Sequence, residues 1–350
     1  MRKTLILSIG RTNSLPLYAK YIIENSNIQE RDFIVSKQSD YTINSLGEIA
    51  INTYKNKKEF LLRTLFYLPF KFVSLIPKLY KEYDVLYLPY MHFWDLPFIL
   101  FFKILKRKVV ITAHDGILHD GENGKLLSFL NKFEIKSADE LIVLTEFVKQ
   151  LIIKKFQYKN KIHVIPHGLI ENKFIKRKDQ TGSKNLLFLG RISKYKGVEL
   201  LIESVSEISE SIDKLIIAGK SIYNINYGNH PKIEIQDNYL SDQEIGELLS
   251  WADVLILPYL EGSQSGVIAL AINAELPMVC TNVGGFKEQL ENDEAIWVSP
   301  NKESLKEGIL SIINNVDLQN KIKFKLKQKK EVLSWAQITK QLFELVRSTK

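Results

Sequence analysis

Short apolar runs rich in isoleucine, valine and leucine alternate with longer amphipathic stretches along most of the chain. Such runs are typical of strands in parallel sheets, because helices cover both faces of those sheets. The first half contains runs at residues 4–10, 32–37, 84–89, 108–114, 140–145 and 161–166. The second half contains runs at residues 185–190, 214–219, 232–237, 253–258, 277–282 and 295–300. The pattern predicts an α/β protein with two doubly wound sheets of about six strands each.

The stretches between the runs set the expected domain boundaries. Helices are predicted over 145–156 and 197–208, among others, and the polar stretch 175–185 is the predicted linker. The last segment, 321–350, predicts one or two helices whose apolar stripe needs a partner surface. We therefore expect an N-terminal domain of residues 1–172, a C-terminal domain of residues 173–333 and a final helix at 334–350.

Composition supports a folded protein of two domains. The chain has 350 residues, of which 45% are hydrophobic and 25% charged, which is enough for two separate cores. Cys280 is the single cysteine, so a disulfide scaffold is excluded and a reducing cytoplasm is favoured. The first apolar run breaks at Gly10, which is too early for a signal peptide. We expect a cytoplasmic protein.

The net charge of +8 is most concentrated at residues 55–84, where aromatic and aliphatic residues alternate with lysine and arginine. We expect no membrane-spanning segment there, because Pro69, Lys71 and Pro77 interrupt it. Peripheral contact with the inner face of a membrane is one interpretation of this segment. Core-packing helices with solvated lysines are the other, and both stay open. Nucleic acid is not an expected partner, since no nucleic-acid-binding motif accompanies the charge.

A candidate anion site follows the first predicted strand of the second half. In the segment FLGRISKYKGVELL the strand ends at Gly190, and a short loop with Arg191, Lys194 and Lys196 leads into a helix. Cations beside the N-terminus of a helix bind phosphate well, because the helix dipole and free N–H groups add to their charge. Arginine suits bidentate contact with phosphate oxygens. A solvated basic loop is the alternative.

The segment PYLEGSQSGVIAL completes this candidate site. It follows the buried run ADVLIL, and Ser263 or Ser265 can cap the helix that begins after it. Gly266 lets backbone N–H groups come close to a ligand, and Val267 is the next residue of the same turn. A diphosphate is expected to bind here, opposite Arg191. Simple helix capping is the alternative.

In the N-terminal half, His114 follows a predicted strand and therefore lies at the carboxyl edge of its sheet. A histidine there can hydrogen-bond to a sugar hydroxyl or a phosphate. Gly10 ends the first predicted strand at the same edge. His163 and His167 are four residues apart, but Pro166 and a predicted strand exclude the helical geometry of a metal pair. No metal site is expected.

The segments FLGRISKYKGVELLIES, ADVLILPYLEGSQSGVIALAINAELPMVCTNVGGFKEQLEN, VITAHDG, LIVLTEFVKQLI and IHVIPHGL resemble the family 4 glycosyltransferases of the retaining GT-B class. The resemblance covers most of the chain. It implies two Rossmann-like domains facing across a cleft, of which the N-terminal domain binds the acceptor and the C-terminal domain binds the nucleotide sugar. It also implies that the final helix crosses back to the N-terminal domain, and that transfer is metal-independent and needs no cofactor.

The resemblance assigns roles to individual residues. Arg191 and Lys196 match the residues that hold the donor diphosphate, and His114 matches the histidine near the transferred sugar. Gly10 matches the glycine at which backbone approaches the donor phosphate or the acceptor. A diphosphate leaving group gains charge as the glycosidic bond breaks, so fixed cations stabilise that state more than the ground state.

One position departs from the family. Many members carry two glutamates after this strand, the first near the donor sugar and the second near the ribose. In one alignment Glu261 matches the first glutamate and Ala269 occupies the second position, and in the other Gly262 and Leu270 occupy the two positions. The second glutamate is absent in both. The donor site is therefore expected to depend on Ser265 and its helix start, with a smaller contribution from Glu261.

The expected function is transfer of a sugar from a nucleoside-diphosphate sugar to a glycan or lipid-linked acceptor in bacterial surface polysaccharide or glycoconjugate synthesis. A partner subunit that binds a nucleotide sugar or a glycan without catalysis is the first alternative, suggested by the missing glutamate. A UDP-sugar 2-epimerase is the second. It lacks support, because the acid and base carboxylates that such an enzyme needs are not recognisable.

Overall fold

The computed structural model describes residues 2–12, 14–114, 125–176, 183–225 and 227–348. The chain divides into two compact units, Met1–Pro166 with Trp335–Lys350, and His167–Ser334. Part of the predicted linker, residues 177–182, lies outside the described residues.

The first unit is built around a parallel sheet of seven strands. Its strands are β1 (Lys3–Ser8), β2 (Arg31–Ser36), β3 (Glu48–Ile51), β4 (Tyr83–Leu88), β5 (Lys108–Ala113), β6 (Glu140–Val143) and β7 (Lys161–Val164). Its helices are α1 (Ser14–Glu24), α2 (Lys57–Leu62), α3 (Leu68–Glu82), α4 (Leu96–Ile104), α5 (Lys125–Ser137) and α6 (Glu146–Phe156). The strand order is β3-β2-β1-β4-β5-β6-β7, so the direction of winding reverses between β1 and β4.

The second unit has a parallel sheet of six strands. Its strands are β8 (Asn185–Leu189), β9 (Lys214–Ala218), β10 (Ile233–Gln236), β11 (Val254–Leu257), β12 (Met278–Thr281) and β13 (Ile296–Val298). Its helices are α7 (Val198–Glu207), α8 (Asp242–Trp251), α9 (Gly266–Asn273), α10 (Phe286–Gln289), α11 (Lys302–Ile313) and α12 (Val316–Val332). The strand order is β10-β9-β8-β11-β12-β13, with the reversal between β8 and β11. In such sheets, ligands bind beyond the carboxyl ends of the two strands at the reversal.

All of the predicted apolar runs contain a strand, and the prediction of two doubly wound sheets is confirmed. The strand that the sequence pattern missed is β3, which lies at the edge of the first sheet and is only partly buried. It is short and its residues, EIAI, include a charged side chain, so it lacks the continuous apolar character of a central strand.

The sequence predicted no membrane-spanning segment at residues 55–84. By length and apolar composition, this prediction is wrong for Lys57–Glu82. Among the residues that the structure describes, this continuous helical run is the one long and apolar enough to span a membrane. A π-helical turn at Arg63–Tyr67 joins α2 to α3, and Pro69 follows it as the second residue of α3. The helix also continues through Pro77.

A final helix, α13 (Trp335–Arg347), packs on the first unit, as the GT-B resemblance implied. Its buried residues join a core cluster with α1 and the first sheet. Trp335 stacks on Tyr21 at 5.0 Å between ring centroids and meets the edge of Tyr18. The Lys108 ammonium donates to the carbonyl oxygens of Leu345 and Ser348, at 3.0 Å each, which satisfies the end of the helix.

His163 lies on β7, and its Nε2 contacts the Glu140 carboxylate at 2.9 Å. The same carboxylate pairs with Lys108 at 3.1 Å. This histidine is therefore part of a polar network inside the first unit. Such a network satisfies a buried carboxylate that would otherwise be costly.

Candidate functional site

In the second unit, the loops after β8 and β11 bring several predicted donor-site residues together. β8 ends beside Gly190, and β11 leads into the loop that precedes α9. A side chain at position 190 would place its Cβ 3.0 Å from Lys196 Nζ and 3.5 Å from Val267 Cγ2. The backbone there has a φ of +123°, which favours glycine. Glycine thus keeps open a small space between Lys196 and the start of α9.

Lys196 is buried, and its ammonium lies 4.9 Å from the ring centroid of Tyr259. Within the described ranges, no carboxylate or hydrogen-bond acceptor is paired with this ammonium. A cation with only an aromatic face beside it is incompletely compensated, because a cation–π contact is weaker than an ion pair. An anionic ligand would supply the missing partner.

The start of α9 offers backbone donors beside this cation. Ser265 occupies the N-cap position, but its hydroxyl lies 3.3 Å from the Tyr259 hydroxyl and does not cap the helix. The N–H groups of Gly266 and Val267 have no hydrogen-bond acceptor in the described part of the chain. Orphan N–H groups at a helix start, together with the helix dipole, form an anion-binding feature.

Gln289 holds this helix start in place. Its Oε1 accepts a hydrogen bond from Ser265 N–H at 2.7 Å, and its Nε2 donates to Ser265 O at 3.2 Å. The backbone of Ser265 is thus held from both sides by one side chain of α10. Because Ser265 already has these partners, the next two amides are the ones left for a ligand.

Arg191 and Glu261 lie in the same two loops and are exposed. Glu261 N–H donates to Tyr195 O at 3.4 Å, which ties its backbone to the loop that carries Lys196. Gly197, at the start of α7, has a left-handed backbone, and a Cβ there would lie 2.1 Å from Pro258 O. This close approach fixes the two loops against each other.

In the first unit, Gly10 follows β1 at the point where strand order reverses. Its N–H donates to the Tyr90 hydroxyl at 2.7 Å, and that hydroxyl is also 2.9 Å from Ser8 Oγ. A Cβ at position 10 would lie 2.8 Å from the same oxygen. Glycine is therefore required for packing against Tyr90. Its predicted role at a ligand stays a prediction.

His114 follows β5 and is buried. Its Nε2–H donates to Pro89 O at 2.9 Å, and its ring meets the Tyr18 ring at 4.6 Å, nearly perpendicular. These contacts fix the ring orientation. His114 also lines a cavity of about 220 Å³ whose other walls come from α1, the loop after β4, β5 and α5.

The wall of the cavity contains an acidic residue that the sequence pattern did not single out. Glu134 of α5 lines it, and burial raises the pKa of this carboxyl to about 8. Asp95 is also buried, and its pKa is raised well above the ordinary value by burial and by the nearby Glu134. Burial, with a smaller contribution from Arg11, lowers the pKa of His92 to about 4. At neutral pH the Glu134 carboxyl and the His92 imidazole are therefore mostly uncharged.

Several residues of these sites were missed by sequence reasoning, among them Tyr259, Gln289 and Glu134. Tyr259 and Gln289 lie inside the segments that carry the family resemblance, so their position could have drawn attention to them. Glu134 lies in the middle of an amphipathic helix, where a glutamate is usually exposed. Only tertiary packing distinguishes it from the solvated lysines of the same helix.

Two known families match the chain. The family described as "Glycosyl transferases group 1" matches residues 183–315, and "Glycosyltransferase Family 4" matches residues 44–172. An uncharacterized glycosyltransferase from Methanocaldococcus jannaschii is 29% identical over 174 residues, which cover 46% of this chain and 44% of the relative. The chain thus spans less than half of that relative's length.

Solved structures share the fold. Anabaena HepE, in complex with UDP and glucose, superposes with a TM-score of 0.76 at 16% sequence identity and covers 100% of both chains. WaaG, a glycosyltransferase involved in lipopolysaccharide biosynthesis, superposes with a TM-score of 0.70 at 15% identity and covers 99% of this chain and 100% of its own. At these identities the comparison establishes the GT-B fold alone.

Proposed function

The chain belongs to the glycosyltransferases of group 1 and family 4, and we propose from this that it moves a sugar from a nucleoside-diphosphate sugar to a hydroxyl of a glycan or lipid-linked acceptor. The transfer retains the configuration at the anomeric carbon and uses neither a divalent ion nor a further cofactor. The product belongs to surface polysaccharide or glycoconjugate synthesis, and the protein works in the cytoplasm.

The environment of Lys196 is the observation that best supports this proposal. The residue is buried, and its ammonium lies beside the Tyr259 ring and next to the orphan amides at the start of α9. A diphosphate bound there contacts the Lys196 ammonium and accepts hydrogen bonds from the backbone N–H groups of α9. These groups stabilise a leaving diphosphate more than the intact donor, because its charge grows as the glycosidic bond breaks. Arg191 and Lys196 thus supply the positive charge that a divalent ion would otherwise provide.

The remaining predicted residues take supporting roles. Ser265, Gly266 and Val267 present the helix start to the phosphates, and Glu261 contacts the donor sugar. His114 and Gly10 contact the sugar or the acceptor from the first unit. Because fixed cations and helix N–H groups stabilise the departing diphosphate, the transfer has little need for a carboxylate nucleophile.

Incubation with a panel of UDP-, GDP- and TDP-sugars tests the transferase. UDP-glucose is a sensible first donor, since HepE was solved with UDP and glucose. We expect release of a nucleoside diphosphate with at least one donor, and loss of that release in Arg191→Ala. If no donor is hydrolysed and none binds, the transferase proposal is wrong. Binding without release would instead support the non-catalytic subunit suggested by the missing second glutamate.

The helical run Lys57–Glu82 supports a second part of the proposal, contact with an anionic membrane surface. Phe66 and Phe70 are 72% and 76% exposed, and other large apolar side chains share this outer face. Lysines 55, 57, 58 and 81 flank it and are exposed. Exposed aromatic residues beside lysines match the apolar and anionic layers of a membrane interface.

This helix lies in the interface and does not span the bilayer. Leu68, Leu75 and Leu79 are buried in the core of the first unit. A helix packed along one face against a folded domain cannot be surrounded by lipid. The exposed face alone is left for the membrane, so the protein acts as a peripheral protein on the inner face.

Flotation with vesicles of phosphatidylcholine, alone or mixed with phosphatidylglycerol, tests this contact. Wild-type protein should float with the anionic vesicles, and Phe66→Ser/Phe70→Ser should bind at least roughly tenfold more weakly, because two aromatic side chains are no longer buried in the membrane. Phe324→Ser removes a 60% exposed phenylalanine of α12 and is the control. Wild-type protein that stays soluble beside anionic vesicles would refute the membrane contact.

A further inference from the structure

The cavity of the first unit contains polar groups that lack partners. Asn131 and Glu134 of α5 line it and are only 7% and 4% exposed. The buried Asn131 Oδ1 has no hydrogen-bond partner among the described residues. The Glu134 carboxyl likewise makes no hydrogen bond or ion pair in the part of the chain that the structure describes. Buried polar groups of this kind usually have a partner, so they point to a ligand.

The other residues that line the cavity indicate whether such a ligand is charged or neutral. The apolar wall residues are Leu15, Met91, Phe93 and Leu130. His92, another wall residue, has its Nδ1 occupied by Trp94 N–H at 3.1 Å and its Nε2 by the Tyr54 hydroxyl at 3.0 Å. Since His92 and Glu134 are uncharged at neutral pH, these walls favour a neutral ligand over a phosphate or a carboxylate.

The volume of the cavity and its neighbouring elements restrict the range of possible ligands further. A cavity of about 220 Å³ is smaller than the pockets that hold drug-sized molecules, and it suits a group of about one sugar ring. Phe93 in its wall packs edge-on against Phe60 of α2, with 5.7 Å between ring centroids. Trp94 donates to Thr64 Oγ1 in the π-helical turn at 2.8 Å. The cavity wall is thus joined to the helix that carries the exposed apolar face.

We propose that this cavity binds the uncharged, hydroxylated head group of an amphipathic acceptor through hydrogen bonds to the Glu134 carboxyl and the Asn131 amide oxygen. A protonated carboxyl both donates to and accepts from a sugar hydroxyl, and the amide oxygen accepts from a second one. The apolar walls contact the carbons of the ring, and the hydrocarbon part of the acceptor follows the Phe93–Phe60 contact. The assignment of this ligand as an acceptor rests on the proposed transferase function.

Binding of n-octyl glucoside, n-octyl galactoside and n-octyl mannoside, below micelle-forming concentrations, tests the cavity by saturation-transfer NMR and calorimetry. At least one should bind wild-type protein more tightly than its methyl glycoside does. Glu134→Ala should weaken binding about tenfold, the effect of one lost hydrogen bond in a buried site. Glu134→Gln should stay within about threefold of wild type, since an amide also donates and accepts. Lys136→Ala, an exposed position on the same helix, is the control.

Several outcomes would overturn the proposal. It fails if no octyl glycoside binds, or if Glu134→Ala binds like wild type. Equal loss in Glu134→Gln and Glu134→Ala would show that neutral hydrogen bonding is not what Glu134 supplies. Equal affinity for methyl and octyl glycosides would refute the proposal that the hydrocarbon part of the acceptor contacts the protein. If Glu134→Ala does not fold, Leu130→Trp, which fills the cavity, must abolish binding for the proposal to stand.

The same samples separate this inference from the transferase proposal. Glycoside binding that depends on Glu134, without hydrolysis of any nucleotide sugar, would preserve the cavity assignment and refute the transferase. Hydrolysis of a nucleotide sugar, together with glycoside binding that does not depend on Glu134, would support the transferase and refute the cavity assignment. Arg191→Ala should lose donor turnover and keep glycoside binding, because Arg191 belongs to the other unit.

Discussion

At the residue scale, the second unit contains a cation that has no ion-pair partner among the residues that the structure describes. Lys196 sits buried against Tyr259, and Gly190 keeps the space beside its ammonium open. Such an arrangement leaves the positive charge without an ion-pair partner when no ligand is bound, which favours folding less than a paired charge does. The unpaired charge points to a function, because an apolar side chain would satisfy the packing of this residue equally well.

Lys196→Met tests this conflict between stability and binding. Nucleoside-diphosphate affinity should fall about 10- to 100-fold, the range for a lost charge-assisted hydrogen bond, whereas the free energy of unfolding of the unliganded protein should stay equal or rise. Calorimetry measures the first quantity and urea unfolding the second. Lys214→Met, at the amino end of β9, is the control and should leave affinity unchanged. A variant that loses stability and affinity together would assign Lys196 a structural role.

Glu134 gives a pH-dependent prediction. The folded protein holds its proton up to about pH 8, whereas the unfolded chain releases it near pH 4.5. The folded state therefore binds more protons between these values, and the free energy of unfolding decreases as pH rises from 4.5 to 8. Urea unfolding of wild type and Glu134→Gln across this range should show that difference. His92 is common to both proteins, but Glu134→Gln also removes the contribution of Glu134 to the raised pKa of Asp95. A difference independent of pH would contradict the raised pKa.

The sequence indicates one of these two sites much better than the other. Arg191, Lys196 and Ser265 lie in loops directly after apolar runs, and parallel sheets bring such loops to one edge. Glu134 and Asn131 lie inside a helix with charged neighbours, so periodicity predicts an ordinary amphipathic element. Their burial arises from packing of α5 against α4 and β5, which a local pattern does not encode.

At the element scale, the placement of α9 depends on α10. The two helices are separated by β12 in sequence, and Gln289 joins them by holding both backbone groups of Ser265. The apolar runs predict the strands, because central parallel strands are buried on both faces. They do not predict this contact between helix ends, which depends on a side-chain rotamer reaching across the sheet edge.

Gln289→Ala should loosen the start of α9. Ser265 N–H is left without its acceptor, so amide hydrogen exchange at residues 265–268 should become faster. Nucleoside-diphosphate affinity should fall by about 3- to 10-fold, the effect of a hydrogen bond lost next to the ligand. Gln243→Ala, on the exposed surface of α8, is the control. Faster exchange with unchanged affinity would show that the α9 start does not hold the phosphates.

At the scale of the whole molecule, the two units use the chain differently. The second unit is one continuous segment, His167–Ser334, whereas the first is completed by Trp335–Lys350 from the far end of the chain. The amphipathic stripe of the last segment predicts that it needs a partner surface. Which surface it packs on follows from the family resemblance and the structure, because many apolar faces could satisfy the same stripe.

Because of this difference, we expect isolated fragments of the two units to differ in whether they unfold cooperatively. Leu342 and Val346 of α13 are fully buried, and Trp335 packs on Tyr18 and Tyr21. A fragment of residues 1–166 therefore exposes an apolar surface on its sheet and should not show the cooperative thermal unfolding expected of a complete unit. Adding a peptide of residues 335–350 should restore it, because burial of several large side chains is worth several kcal/mol.

The fragment of residues 167–334 is the counterpart, since its core cluster comes from its own segment. It should unfold cooperatively and bind UDP, provided that the donor site is the one described around Lys196. Differential scanning calorimetry and calorimetric titration measure these properties. Cooperative unfolding of 1–166 alone, at the temperature seen with the peptide, would show that α13 is dispensable. Because α13 joins the first core and not the second, its loss should leave UDP binding by the second unit intact.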